Sequence, residues 1–281
     1  MKYLKKFENH QAYETAESGL ETPNVSYCVS ENEVHYKPIP QPKNVITYKA
    51  PSKLNERTTT SGSGMHIKKF SGESNNQLTI VSHTFENGVG TVTFDDDIYK
   101  IGNSAFSYCN TIEEISIPDS VITFGTTVFY YCGNLKKINI PSGVTFIGAW
   151  AFRGCSGLTS IEIPSGVTSI EDYTFEGCSG LTSFYIHDSV TNIGQSAFEN
   201  CSGLTAVTIG SGVTSIESSA FRQCVSLTGI TILAVNPPSL TGYVIFGNTN
   251  DCPIYVPAAS VDTYKAASSW GDYASRIQAI P

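Results

Sequence analysis

Charge is scarce in this sequence. Only 15% of its 281 residues are Asp, Glu, Lys or Arg, and the formal net charge is -8 at pH 7. Basic residues come in short groups, Lys2, Lys5 and Lys6 near the start and the Lys136-Lys137 pair further on. A phosphate backbone is held by larger clusters, so no nucleic-acid partner is expected. No stretch approaches the roughly 18 consecutive apolar residues of a membrane span, which argues against membrane insertion. The basic start is not followed by an apolar run of about 7–15 residues, so the sequence as it stands shows no secretory signal peptide.

Catalytic patterns are missing as well. The five histidines, His10, His35, His66, His83 and His187, are scattered. Only His187 lies among the repeats, where it replaces a turn proline such as Pro164 and reads as an exposed turn residue. There is neither a glycine-rich phosphate loop nor a nucleophile elbow. Asp95-Asp96-Asp97 reads as a solvated turn ahead of a calcium site. The expectation is a chain that is not an enzyme and needs no cofactor.

What the sequence does contain is a period. Six of the eight cysteines, Cys109, Cys132, Cys155, Cys178, Cys201 and Cys224, are each 23 residues apart. A fixed period of this size marks a stacked-repeat solenoid. One copy runs Leu158, Ile161, Ile163, Val167, Ile170, Phe175, Cys178, and the same offsets recur upstream from Val89, Ile112 and Leu135 and downstream from Leu181 and Leu204. A last copy starts at Leu227, Ile230 and Ile232 and dissolves at Val235-Asn236-Pro237-Pro238. That makes six full units and a terminal half.

Within each unit Ile161-x-Ile163 alternates as a half-buried strand does. Pro164-Ser165-Gly166 makes a turn, because Pro fixes φ and Gly tolerates positive φ. Val167 to Ile170 reads as a second short strand. Gly148 to Cys155 has helical spacing over one or two turns. One such unit buries too little apolar surface to offset the conformational entropy of ordering it. Stability must come from stacking, so both ends need caps.

The predicted N-terminal cap is strand–turn–strand, Leu78 to Phe85, Asn87-Gly88 and Val89 to Phe94. At the other end Pro253 to Pro257 reads as a strand, followed by a helix with Ser260 as N-cap, Asp262 in its first turn, and Tyr264, Trp270 and Tyr273 on its apolar side. The expected division is a small module over residues 1–47, a linker and cap over 48–88, repeats over 89–232 and a C-terminal cap over 233–281. Thr58 to Gly64 reads as a flexible connector.

The cysteine column is not a metal site by this reading, since one thiol per coil about 4.8 Å apart forms a line and not a tetrahedron. Disulfides between coils would need Cβ atoms drawn to roughly 3.5–4.5 Å, distorting the stack. Small buried residues with each S–H on a nearby carbonyl are expected instead. Cys28 and Cys252 lie outside this register, and their pairing is left open.

The pattern LxxIxIPxxVxxIgxxAFxxCxxL over residues 89–232 resembles the BspA-like leucine-rich repeats of bacterial surface proteins. The tail around Ile254-Tyr255-Val256-Pro257 and Tyr264 to Trp270 is similar to an end cap of that family in gut Bacteroidales, and Tyr13 to Tyr36 resembles segments of proteins from those bacteria and their phages. The resemblance implies a curved solenoid used for adhesion and protein binding at the cell surface or outside the cell.

Two outward surfaces are candidates for contact. On the first strands, residues between the apolar positions face the concave side, among them Glu113, Glu114, Lys136, Lys137, Asn139, Glu162 and Tyr185. Glu113 beside Lys136 and Glu114 beside Lys137 should form opposite-charge neighbours, worth well under ~1 kcal/mol each when exposed. The Thr column (Thr159, Thr182, Thr205, Thr228) suits a strand former better than a flat ice-binding array. The second surface is the column Ser104, Thr127, Trp150, Tyr173, Ser196, Ser219, small except at two adjacent coils. Trp150 and Tyr173 should stack there, with Tyr130, Tyr131 and Arg153 nearby. An exposed aromatic group beside Arg suits a protein or glycan contact; packing against a neighbouring loop is the alternative. The expected role is a non-enzymatic binding or adhesion scaffold for a protein or surface glycan, with homo-oligomerisation left open. The alternative is a structural component, for example of a phage tail, docked through residues 1–47.

Overall fold

A computed structural model gives the fold. It describes residues 25–30, 33–38, 44–57, 65–66, 70–71 and 77–281, for 25–30, 33–38, 57, 66 and 71 the backbone alone. The chain forms two compact units, Met1–Pro42 and Lys43–Pro281. In the first, Val25–Ser30 and Glu33–Pro38 pair as an antiparallel hairpin, with Val25 opposite Pro38. The Thr58 to Gly64 connector, and the side chain of Cys28, lie outside the described residues.

The second unit is a β-solenoid. First strands of successive coils pair parallel and in register: Glu114–Ser116 with Lys137–Asn139, and Ser183–Ile186 with Ala206–Ile209 and Gly229–Ile232. Every other side chain is buried, so Ile115 faces Ile138, and Phe184, Val207 and Ile230 line up inside. The proline turn then closes by a short backbone bond, Val121 N–H to Pro118 O, Val144 to Pro141 and Val167 to Pro164. A second, two-residue strand follows in each coil, as in Thr123–Phe124 and Phe146–Ile147.

Both ladders are interrupted at the same coil. Among the described residues, Ile161–Ile163 carries no strand, and no strand pairing joins Phe146–Ile147 to Ser169–Ile170. The third face of the coil runs through without a break. Trp150 N–H donates to Asp172 O at 3.0 Å, Phe152 to Thr174 O at 2.9 Å and Gly154 to Glu176 O at 2.7 Å.

That third face corrects the helical reading of Gly148 to Cys155. The segment is a run of turns. Its amide N–H groups alternate between the next coil and their own turn: Phe129 N–H reaches Ala151 O, while Tyr130 N–H returns to Thr127 O. The backbone adopts positive φ at two positions four residues apart in each copy, such as Thr127 (55°) and Tyr131 (53°). Left-handed residues at that interval break a right-handed helix. Spacing of the apolar side chains alone cannot distinguish the two.

The core is a pair of columns. Phe106, Phe129, Phe152, Phe175, Phe198 and Phe221 are fully buried, with adjacent rings stacked 5.2–5.6 Å apart. From Cys132 to Cys224 each thiol donates to the carbonyl of the phenylalanine one coil back, as in Cys155 Sγ to Phe129 O at 3.1 Å and Cys178 Sγ to Phe152 O at 3.1 Å. Burial pushes the Cys155 thiol up to about 12. The thiols are thus small buried donors, as their spacing implied.

The ends depart from the repeat. Val45–Lys49 inserts antiparallel between Val89–Phe94 and Glu114–Ser116, so the first two coils do not pair directly along this face. The expected boundary after residue 47 falls inside this strand. Ile80–Glu86 adds the outer strand, and Asn87 (φ 50°) and Gly88 (φ 81°) form the hairpin turn. Tyr48 ties the cap together: its hydroxyl accepts from Leu54 N–H and lies 2.8 Å from His83 Nε2, whose Nδ1 is 2.7 Å from Glu56 Oε1.

At the C-terminal end the seventh copy does not dissolve. Ser239–Leu240 pairs parallel with Ser215–Ile216, and Phe246 stacks on Phe221 at 5.7 Å. A longer loop raises the interval from Cys224 to Cys252, and Cys252 is buried as a thiol without a disulfide. Ile254–Val256 and Ile277–Ala279 complete the sheet. The cap helix is Val261–Ala266, followed by a 3-10 segment over Ser268–Arg276. Ser260 does precede the helix, but its side chain makes no capping bond. Tyr264 and Trp270 are fully buried and donate to Ala234 O and Pro238 O, each at 2.8 Å.

Candidate functional site: an aromatic edge

The run of turns places its left-handed residues in two columns on one edge of the stack. One column reads Ser104, Thr127, Trp150, Tyr173, Ser196, Ser219 and the other Tyr108, Tyr131, Gly154, Gly177, Asn200, Gln223. Glycine and, less well, Asn suit such a backbone; other L-residues pay roughly 1–2 kcal/mol there because of their Cβ. Trp150 (φ 59°), Tyr173 (57°), Tyr108 (59°) and Tyr131 (53°) all accept that cost.

Their rings meet. Trp150 and Tyr173 are 5.6 Å apart and tilted by 59°. Tyr130 packs edge-on against Tyr131 at 4.6 Å, and Tyr108 lies parallel to Tyr131 at 5.8 Å. The Arg153 guanidinium joins the two groups, 5.7 Å from the Tyr130 ring centroid and 5.8 Å from that of Tyr173. Both distances lie within cation–π reach. Gln195 Nε2 donates to the Tyr173 hydroxyl at 2.8 Å. Trp150, Tyr131 and Tyr108 nevertheless remain 40%, 41% and 43% exposed.

Below them runs a charged column, Arg153, Glu176, Glu199, Arg222. Arg153 Nε lies 2.7 Å from Glu176 Oε2, and its Nη2 donates to Oε1 at 3.2 Å. The shorter contact is an ion contact without hydrogen-bond alignment, leaving that oxygen buried and unbonded. Arg222 pairs with Glu199 at 2.5 Å. Burial raises the Glu176 carboxyl above its usual range; Arg153 opposes that and Glu199 reinforces it.

The structure brings together Tyr130, Tyr131, Trp150, Arg153 and Tyr173, as the repeat register implied. The other candidates lie on the strand face. Lys136 pairs with Glu113 at 3.0 Å. Glu114 stands beside Lys137 in register, yet its ion pair is with Lys49 of the inserted strand, 3.2 Å away. The amide of Asn139 is committed to both backbone groups of Ile117, accepting at 3.0 Å and donating at 3.1 Å. Glu162 belongs to the coil that lacks its first strand, and Tyr185, 54% exposed, to the following sheet. The Thr205 and Thr228 hydroxyls turn back onto the preceding coil, donating to Thr182 O and Thr205 O. His187 takes the place of the proline by bonding Pro164 O and Ser189 Oγ, and Asp95 accepts from the Thr79 backbone and hydroxyl. Sequence reasoning missed Tyr108 and Glu176, though each stands one coil from a residue it singled out.

Among the described residues, no group of His, Cys, Asp and Glu is arranged to hold a metal, and no helix is long and apolar enough to cross a membrane.

Parallel in-register coils with a Phe–Cys core define a leucine-rich-repeat solenoid, a scaffold architecture. The family model for the BspA type leucine rich repeat region (6 copies) matches residues 63–179 and 122–250, and the chain belongs to that family. Among solved structures it is similar to a leucine rich repeat protein of T. pallidum, at 26% identity and TM-score 0.52, over 57% of this chain and 73% of that one. It is also similar to a leucine rich cell surface protein from Faecalibacterium prausnitzii A2-165, at 26% identity and TM-score 0.56, over 76% of this chain. The matched region spans 58% of that protein's length. No curated protein matches the chain in sequence.

Proposed function

We propose that this protein is a non-enzymatic binding scaffold, and that the aromatic edge is the surface by which it engages a cell-surface protein or glycan. One observation carries the reading. Trp150, Tyr173, Tyr131 and Tyr108 occupy left-handed positions that other coils fill with Ser, Thr, Gly, Asn or Gln, and three of them keep two fifths of their surface exposed. Aromatic residues placed at a conformational cost and left in solvent contribute little to folding, whereas Trp, Tyr and Arg dominate binding surfaces. The cell-surface description of the F. prausnitzii protein agrees with such a role.

The test is adhesion of the purified chain to intact epithelial and bacterial cells, comparing wild type with a Trp150→Ser/Tyr173→Ser variant. Binding lost in the variant supports the edge as the contact surface; binding unchanged in the variant moves it elsewhere. A second reading, a structural component docked through its N-terminus, draws support from the separation of Met1–Pro42 as its own compact unit. Removal of residues 1–42 would then abolish assembly while leaving adhesion intact.

A further inference from the structure

A recess of about 530 Å³ opens beside this edge, lined by Tyr108, Tyr131, Arg153, Gly154, Glu176 and Gly177 among others. That volume lies within the ~300–1,000 Å³ of small-molecule sites. We infer that the recess is a subsite for a neutral saccharide, with a pyranose ring packed on Tyr131. The inference deepens the binding role proposed above and rests on it.

The shape comes from the column that changes from Tyr to Gly. The Tyr108 and Tyr131 rings are parallel within 3°. Tyr131 lies against the Gly154 backbone so closely that an added Cβ there would be 2.7 Å from its Cδ1. One coil further on, a Cβ at Gly177 would meet nothing nearer than the Gly154 Cα, 3.7 Å away. The floor is therefore backbone, flanked by an aromatic wall and by Asn200 at the far end. A pyranose offers a face of C–H groups for such a wall and, at its edge, hydroxyls that both donate and accept. The Arg153–Glu176 pair and the Asn200 amide provide donors and acceptors side by side.

Charge and backbone select the ligand class. Arg153 is held against Glu176, so the pair presents no net charge, and an anionic ligand would have to compete with a half-buried carboxylate. An extended peptide docks by pairing with free main-chain groups. Here Tyr131, Gly154 and Gly177 already donate their N–H groups to Arg153 O, Glu176 O and Glu199 O. A ligand recognised by side chains and ring stacking remains.

Saturation-transfer NMR on the full chain tests this, with lactose, cellobiose, maltose and chitobiose as neutral probes and sialyllactose and a heparin disaccharide as anionic ones. We expect at least one neutral sugar to bind, its ring protons receiving the strongest transfer. Tyr131→Asn should weaken it at least tenfold by removing the wall, and Gly177→Asn should do so by filling the floor. Both variants copy Asn200, which occupies the same column at φ 60°, so the fold should persist, checked by circular dichroism and melting. Absence of binding by every neutral probe, binding of anionic probes alone, or affinity indifferent to both substitutions overturns the subsite. The broader role fails separately. If cells bind the wild type but not Trp150→Ser/Tyr173→Ser, while Tyr131→Asn and periodate oxidation of the cells change nothing, the scaffold role stands and the saccharide subsite falls. If neither cells nor sugars bind, both fall.

Discussion

Truncating Phe152 to Ala should divide the unfolding of the solenoid into two transitions. Phe152 is fully buried and stacks on Phe129 at 5.4 Å and on Phe175 at 5.6 Å. Removing a buried Phe side chain costs about 3–5 kcal/mol in lost transfer energy and cavity. Position decides the rest. Phe152 sits at the junction where neither strand ladder continues, so this column and the turn bonds carry the coupling between halves. In a repeat array, stability is a sum of unit and nearest-neighbour terms, and a weakened interface lets neighbours unfold independently. Phe221→Ala is the control: it is equally buried, with ring contacts at 5.2 and 5.7 Å, but both strand ladders run past it on either side. Urea unfolding followed by circular dichroism reads the difference. At an m-value of ~2–3 kcal/mol/M, a loss of about 3–5 kcal/mol moves a midpoint down by about 1–2.5 M. Phe221→Ala should shift a single transition by that amount, and Phe152→Ala should give two. A single, equally shifted transition for both variants would refute the weak junction.

Two further predictions concern groups raised by burial. The core thiols should resist alkylation in the native state at pH 8: burial holds Cys155 and Cys224 at about 12 and Cys178 and Cys201 well above the ordinary value. Mass-spectrometric labelling with iodoacetamide should modify them only after guanidinium unfolding, and rapid native labelling would contradict the packed column. Glu176 is raised in the folded state by burial, so between its unfolded and folded values the native chain binds the extra proton. Stability should therefore fall as pH rises through that window and stay lower above it. Glu176→Gln should flatten this slope in melting curves from pH 4 to 8; an unchanged slope would assign it to other groups.

Most of the stack was legible because a 23-residue period fixes which side chains point inward before any coordinates are known. Phe152, Cys155, the Trp150–Tyr173 contact and the Glu113–Lys136 pair all follow from register alone. What stayed hidden breaks the period or involves the backbone. Val45–Lys49 enters from outside the repeats, and long-range antiparallel pairing leaves no periodic trace, so Lys49 was not seen as the partner of Glu114. The left-handed residues were hidden because Trp and Tyr at positive φ contradict local preference, the signature of a site held against its own propensity. The seventh coil was lost to a longer loop that displaced Cys252 from the interval.

On the proposed reading the aromatic edge is kept for binding and not for folding. Replacing Tyr131 by Asn and Trp150 and Tyr173 by Ser, the residues other coils place at the same backbone angles, separates the two roles in one variant. Asn in place of Tyr131 would relieve part of a left-handed cost of roughly 1–2 kcal/mol, while Ser in place of Trp150 and Tyr173 carries the same Cβ as the ring it replaces; against this stand lost ring contacts of about 0.5–1.5 kcal/mol each. Calorimetry should find a melting temperature within a few degrees of the wild type, with adhesion to cells abolished in the same preparation. A variant that melts well below the wild type yet still adheres would show that the aromatics serve the fold.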